Sequence, residues 1–121
     1  MATAYQIHAA AAKAGVNQVV RSLAIEWGPA GIRTNGISPG GIENTVGVKF
    51  LAANPEDFEK AIKKIPQRRL GTVEEIADMA IFLSSNAASY VTGQIITVGG
   101  GLTIGDGSHD CLTIPERKPK S

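Results

Sequence analysis

The sequence predicts an α/β chain carrying part of a parallel sheet, on three observations. A long alanine-rich helical pattern, from about Thr3 to Trp27, runs through only a few residues into a short strand-like stretch, Ile32 to Ser38. A second helical pattern, Thr72 to Ser84, opens with a complete capping signal, and an apolar β-branched run, Gly93 to Val98, is bounded by glycines. A helix joined so closely to a strand is the second half of a β-α-β unit, which needs a parallel partner strand. The first strands of such a sheet are therefore expected outside these 121 residues.

In the first helix Ile7, Ala10, Ala11, Ala14, Val19, Leu23 and Trp27 recur at intervals of three to five, a helical stripe. Gly15 is its one weak position, and Gly28-Pro29 ends it. The strand Ile32 to Ser38 stops at Pro39-Gly40-Gly41. Asn44 to Gln67 has weak periodicity, with Val46, Val48, Phe50 and Leu51 followed by Pro55 and then Phe58, Ala61, Ile62 and Ile65; two short, mobile helices over a site are expected. In the next helix Thr72 is the expected N-cap and Glu75 completes the capping box, with Ile76, Met79, Ala80 and Leu83 as the buried stripe. Gly93 to Val98 reads as a buried strand ended by Gly99-Gly100-Gly101. Residues 1–102 are thus expected to form the folded part and 103–121, aperiodic and rich in Gly, Ser, Asp, Lys and Pro, a flexible tail.

Lys plus Arg number 12 against 11 Asp plus Glu, so the formal charge of +1 gives no electrostatic case for nucleic acid or an anionic membrane. No apolar run approaches the roughly 18 residues of a membrane span, and the N-terminus lacks the charged and apolar regions of a signal peptide. The single cysteine, Cys111, cannot form an internal disulfide, which favours the cell interior; with no CxxC or Cys/His cluster, and with His8 and His109 isolated, no metal site is expected. Pro119-Lys120-Ser121 is not the peroxisomal tripeptide.

One charge stands out. Lys13 is the only charged side chain between Met1 and Arg21, and it ends the run AAAAK. A lysine on an arbitrary helix is a solvated charge as a rule, but four stretches in fixed order change that reading: AAAAKAGV with SLAIEWGPAGIRTN, then SPGGIENT, then RRLGTVEEIADMAIFLSS, then SYVTGQIITVGGG. Together they resemble the C-terminal half of the short-chain dehydrogenase/reductase family, and within it are most similar to the 2,4-dienoyl-CoA reductases. The resemblance covers about Thr3 to Gly101. It implies the C-terminal part of a doubly wound parallel-sheet, Rossmann-like domain whose N-terminal half, with the pyrophosphate loop and the upstream catalytic residues, is absent.

The resemblance also implies roles. Lys13 matches the family lysine that hydrogen-bonds the cofactor ribose and lowers the pKa of a nearby catalytic group, so it is both a catalytic and a cofactor-binding candidate. Pro39, Gly40, Ile42 and Thr45 match the loop that runs past the nicotinamide, where backbone groups and a hydroxyl bind the carboxamide. Thr45 falls three residues after Ile42 where most members have two, and that spacing too resembles the dienoyl-CoA reductases. In the commonest members a tyrosine proton donor sits four residues before the lysine; here that position is Ala9, and the dienoyl-CoA reductases share the departure. Tyr5 is either a stand-in donor or an aromatic at the helix start.

Of the remaining matched positions, Asn35 is expected to tie the strand to a loop, Arg68 and Arg69 to serve an ion pair, an interface or an acyl-CoA phosphate, and Gly99 replaces a common aspartate. The implied activity is NADPH-dependent reduction of a conjugated 2,4-dienoyl-CoA in fatty acid β-oxidation, by a parent that is a homo-oligomer and is mitochondrial or peroxisomal, with the isolated 121-residue chain inactive. Two alternatives stand beside it: a short-chain reductase of 3-oxoacyl or steroid carbonyls, and a non-catalytic truncated product that keeps the dimerisation helix.

Overall fold

The computed structural model describes residues 7–105 and Pro115. Six helices and strands follow in order: α1, Ile7–Trp27; β1, Gly36–Pro39; α2, Val46–Leu51; α3, Pro55–Lys64; α4, Val73–Ser84; and β2, Ile95–Val98. Short 3-10 turns at Gly28–Ala30 and Asn86–Ala88 follow α1 and α4. The chain divides into two compact units, Met1–Pro39 with Val73–Val98, and Gly40–Thr72 with Gly99–Ser121.

In the first unit β1 and β2 pair in parallel, Gly36 with Ile95 through Pro39 with Val98, as the helix-to-strand joint predicts. The strand expected from Ile32 begins only at Gly36. Loop residues 92–93 occupy the backbone groups before it: the Thr34 N–H donates to Thr92 Oγ1 at 3.0 Å and the Gly93 N–H donates to the Thr34 carbonyl at 2.7 Å. Asn35 Nδ2 donates to the Val91 carbonyl at 2.9 Å while its Oδ1 accepts from the Gln94 N–H at 3.1 Å. Asn35 thus ties the strand start to a loop, as expected for that residue. The strand ends at Pro39, which has no N–H to give to a ladder.

Of the predicted α1 stripe only Leu23 is half-buried and the rest is exposed. Ile7 is 82% exposed and Val19 55%, whereas Ala24 is buried and Val20 half-buried. Val20 and Ala24, one helical turn apart, lie against Gly36 of β1 and Gly93 just before β2, and glycine makes room for each. A Cβ on Gly36 would lie 3.6 Å from Val20 Cγ2, and one on Gly93 would lie 3.3 Å from the Ala24 Cβ. Periodicity locates a stripe on a helix; the fold's partners choose which stripe is covered. In α4 the expected stripe fares better, with Leu83 buried and Ile76 and Met79 half-buried, while Ala80 is exposed. The end of α4 is held by Arg33, whose guanidinium donates to the carbonyls of Leu83 at 2.6 Å and Ser85 at 3.3 Å, a cation on the negative end of a helix.

The second unit has its own small core, with Ile42 and Ile65 buried. Both expected short helices are present. Asn54 caps α3, its side chain accepting from the Glu56 N–H at 3.1 Å, with Pro55 in the first turn. Glu56 and Asp57 lie in the first turn and Lys63 and Lys64 in the last, the charge order that the helix dipole favours. Gln67 N–H donates to the Gly100 carbonyl at 3.1 Å, joining the end of this segment to the triple glycine. The tail expected from residue 103 lies mostly outside the described residues, as do Tyr5, His109 and Cys111.

Candidate functional site

The candidate residues fall in two groups, one in each unit. On α1, Lys13 and Ala9 are both exposed, and a spacing of four residues puts them on one face of the helix. That face offers an ammonium on a long flexible stem with, one turn earlier, only a methyl group. Whatever the lysine serves, no proton donor accompanies it from position 9.

In the second unit the turn Gly40-Gly41-Ile42-Glu43-Asn44-Thr45 is built tightly. A Cβ on Gly40 would lie 2.6 Å from the Gly99 Cα, closer than any such contact tolerates, so the two backbones meet only because position 40 is glycine. Ile42 forms an isolated parallel bridge with Gly71. In that bridge the Gly71 N–H donates to the Gly41 carbonyl and the Glu43 N–H donates to the Gly71 carbonyl, both at 2.9 Å. The Ile42 side chain is buried at 7% exposure, so what Ile42 offers a ligand is backbone.

Thr45 precedes α2 at the N-cap position, yet its hydroxyl does not cap the helix. Thr45 Oγ1 instead donates back to the Ile42 carbonyl at 2.8 Å, and the residue is exposed. The fold therefore brings Gly40, Ile42 and Thr45 together on one anchored turn. Pro39, the residue before it, closes β1 in the first unit. The spacing of Ile42 and Thr45 was legible in the sequence, whereas the clamp supplied by Gly71 was not, because it is a contact across 29 residues of chain.

The two arginines expected to serve an ion pair, an interface or a phosphate make local bonds. Arg68 Nη1 donates to the carbonyls of Lys63 at 2.6 Å and Ile65 at 3.2 Å, closing the C-terminal end of α3, and Arg69 Nη1 donates to the Leu70 carbonyl at 3.1 Å. A shallow cavity of about 370 Å³ lies in the first unit, lined by Glu75, Asp78, Met79, Phe82 and Val98, and none of the candidate residues lines it. Among the described residues no group of three His, Cys, Asp or Glu is placed to hold a metal ion, and no helix is long and apolar enough to cross a membrane.

Comparison with known proteins places this arrangement in a family. The family model described as Enoyl-(Acyl carrier protein) reductase matches residues 1–103. The peroxisomal 2,4-dienoyl-CoA reductase of Saccharomyces cerevisiae is 49% identical over 98 residues, covering 81% of this chain and 33% of that protein. The 3-oxoacyl-acyl-carrier-protein reductase of Buchnera aphidicola is 46% identical over 97 residues, covering 80% and 38%. Among solved structures, one from Agrobacterium tumefaciens, described as a 2-deoxy-D-gluconate 3-dehydrogenase with bound NADP, superposes with a TM-score of 0.72 at 44% identity, covering 78% of this chain and 38% of that one. The chain thus spans about a third of the length of the curated relatives it matches. With a family model matched over residues 1–103 and relatives up to about half identical over four-fifths of its length, the chain belongs to the short-chain dehydrogenase/reductase family of oxidoreductases.

Proposed function

We propose that this chain is the C-terminal portion of an NADPH-dependent 2,4-dienoyl-CoA reductase acting in fatty acid β-oxidation. The observation that carries the reading is Ala9, exposed one turn before Lys13 on α1. A carbonyl reductase that protonates an alkoxide needs a donor at that position; a dienoyl thioester accepts its proton on a carbon of the conjugated system, from a donor placed elsewhere. The similarity to the yeast 2,4-dienoyl-CoA reductase supports the same branch.

The donors and acceptors present suit a nicotinamide nucleotide. Lys13 has the charge and reach to donate to ribose hydroxyls, and the anchored turn offers the Ile42 backbone and an exposed Thr45 hydroxyl to the carboxamide. The reduced cofactor supplies the hydride when bound. The chain's own groups orient it, and the Lys13 ammonium favours protonation of the dienolate by making a nearby proton donor more acidic. Residues 46–65 are assigned to the acyl chain, a role supported by Val46 and Phe50, which are 82% and 86% exposed and one turn apart on α2.

By itself the 121-residue chain is expected to be inactive, because pyrophosphate binding in this family depends on residues that match none of these. Replacing the corresponding segment of the yeast enzyme with residues 3–101 of this chain tests the assignment. The graft is expected to oxidise NADPH with a 2,4-dienoyl-CoA and not with a 3-oxoacyl-CoA; the opposite preference would overturn it.

A second reading is favoured by the exposed apolar residues of α1, Ile7, Val16, Val19 and Ile25. They suit a subunit interface, as expected for a homo-oligomeric parent or for a non-catalytic product retaining the helix. Size-exclusion chromatography of the 121-residue chain distinguishes a dimer from a monomer. The peroxisomal naming of the yeast relative supports a peroxisomal parent, testable by the location of a tagged full-length protein.

A further inference from the structure

Charge in the second unit is segregated. From Lys60 to Arg69 there are five cations, Lys60, Lys63, Lys64, Arg68 and Arg69, and no carboxylate, which leaves seven cations against 11 acids over the rest of the chain. A nearly neutral chain is therefore strongly basic at the C-terminal end of α3.

The helix gathers three of these cations. Its apolar side is turned into the unit, with Phe58, Ala61 and Ile62 half-buried and Ile65, just after the helix, buried. Lys60, Lys63 and Lys64 are exposed, and spacings of three and four residues put Lys63 and Lys64 beside Lys60, one turn on. At 1.5 Å per residue the three span about 6 Å of helix axis. The acids of α3 lie ahead of them. Glu56 and Glu59 stand four residues before Lys60 and Lys63, whereas Lys64 has only Lys60, Ala61, Gln67 and Arg68 at these spacings.

The ordinary reason for lysines at this end of a helix is its negative dipole, which attracts cations to the last carbonyls. Here that place is taken. Arg68 Nη1 donates to the Lys63 carbonyl at 2.6 Å and to the Ile65 carbonyl at 3.2 Å. The three ammonium groups are left crowded with one another and near a guanidinium, an arrangement of like charge that costs stability until an anion shares it.

We infer that Lys60, Lys63 and Lys64 form a binding site for the phosphates at the adenosine end of coenzyme A, and that through it the parent enzyme favours a CoA thioester over the same acyl group on a carrier arm without the nucleotide. The inference rests on the reading of the parent as an acyl-CoA reductase. The nucleotide end of CoA carries a 3′-phosphate and a 5′-diphosphate, and lysine serves phosphate as a mobile point charge. A fatty acyl-CoA is apolar at one end and polyanionic at the other, and the same unit exposes Val46 and Phe50 on α2 and the lysines on α3. An acidic protein is the other polyanion that lysines attract, but about 6 Å of one helix is small beside the roughly 800 Å² that each partner gives to a stable protein interface.

Titration of the 121-residue chain with adenosine 3′,5′-bisphosphate, followed at the Lys63 and Lys64 amide resonances, tests the site without turnover. 5′-AMP, with one phosphate fewer, is expected to bind about tenfold more weakly, the loss of one charge-assisted contact. The double variant Lys63→Gln/Lys64→Gln is expected to weaken the bisphosphate by at least about tenfold on the same ground, and Glu59→Gln, which removes a competing carboxylate, to tighten it. Glutamine keeps the helix propensity of lysine; should the double variant lose the parent's folded spectrum, Lys64→Gln replaces it with the same direction expected. Equal affinity for the bisphosphate and 5′-AMP, unchanged affinity in the lysine variant, or a tighter response to a polyglutamate peptide than to the bisphosphate would overturn the site.

The yeast graft carrying residues 3–101 separates this inference from the substrate reading. With one 2,4-dienoyl group presented on CoA and on N-acetylcysteamine, the ratio of the two kcat/KM values is expected to fall about tenfold on Lys63→Gln/Lys64→Gln, the same loss of contact. An unchanged ratio would overturn the carrier selectivity. A graft that reduces neither thioester would overturn the dienoyl reading, with the bisphosphate titration still deciding the nucleotide site.

Discussion

Lys13 and Ala9 owe their meaning to each other. Both are exposed on α1, so exchanging either has little to disturb in packing. Lys13→Met is expected to change the urea-unfolding free energy of this chain by less than about 0.5 kcal/mol, while lowering kcat/KM of the yeast graft by roughly 100-fold, the usual effect of removing one electrostatic group from a reacting centre. A fall in stability comparable to the fall in rate would show that the lysine is structural. Gly40 is expected to behave in the opposite way. A Cβ there would meet the Gly99 backbone at 2.6 Å, and because backbone cannot swing aside as a side chain can, Gly40→Ala should destabilise the second unit by about 1–3 kcal/mol, read as a lower urea midpoint. Lys13, Ala9 and the Ile42–Thr45 spacing were legible because motifs preserve residue types and intervals. The burial of Ile42 and the left-handed backbone of Asn44 were not; Ile42 is bridged to Gly71, a residue distant in sequence, and no local pattern marks a left-handed residue at position 44.

At the scale of elements, local signals were reliable where the cause is local. Pro55 with Asn54 before it starts α3, and Gly28-Pro29 ends α1. Asn54→Ala removes the acceptor for the Glu56 N–H and is expected to cost about 1 kcal/mol, seen as faster exchange of the Glu56 amide. Signals failed where tertiary partners decide. The strand expected from Ile32 starts four residues later, because Thr34 and Asn35 spend their backbone and side-chain groups on Val91, Thr92, Gly93 and Gln94. The α1 stripe that packs is the one facing Gly36 and Gly93. Arg33 lies in the stretch SLAIEWGPAGIRTN with no expected role of its own, yet it holds the last carbonyls of α4. Arg33→Leu leaves those partly buried acceptors unpaired and should cost about 1–3 kcal/mol, measurable by urea unfolding of the chain.

At the scale of the whole molecule, the buried apolar residues of the first unit, Ala24, Leu83 and Ala88, and those of the second, Ile42 and Ile65, contrast with Ile7, Ile25, Phe50 and Ile81, each more than half exposed. A chain spanning a third of its relatives leaves these large apolar side chains in water. Its NADPH dissociation constant, measured by cofactor fluorescence, is accordingly expected to lie well above the micromolar range, and a micromolar value would contradict the dependence on upstream residues. The substrate branch is the central claim, and it turns on Ala9. The most direct measurement is NADPH oxidation by the yeast graft carrying residues 3–101, with a 2,4-dienoyl-CoA and a 3-oxoacyl-CoA compared side by side. Turnover of the dienoyl thioester alone is the predicted result; turnover of the 3-oxoacyl thioester in its place would contradict the account.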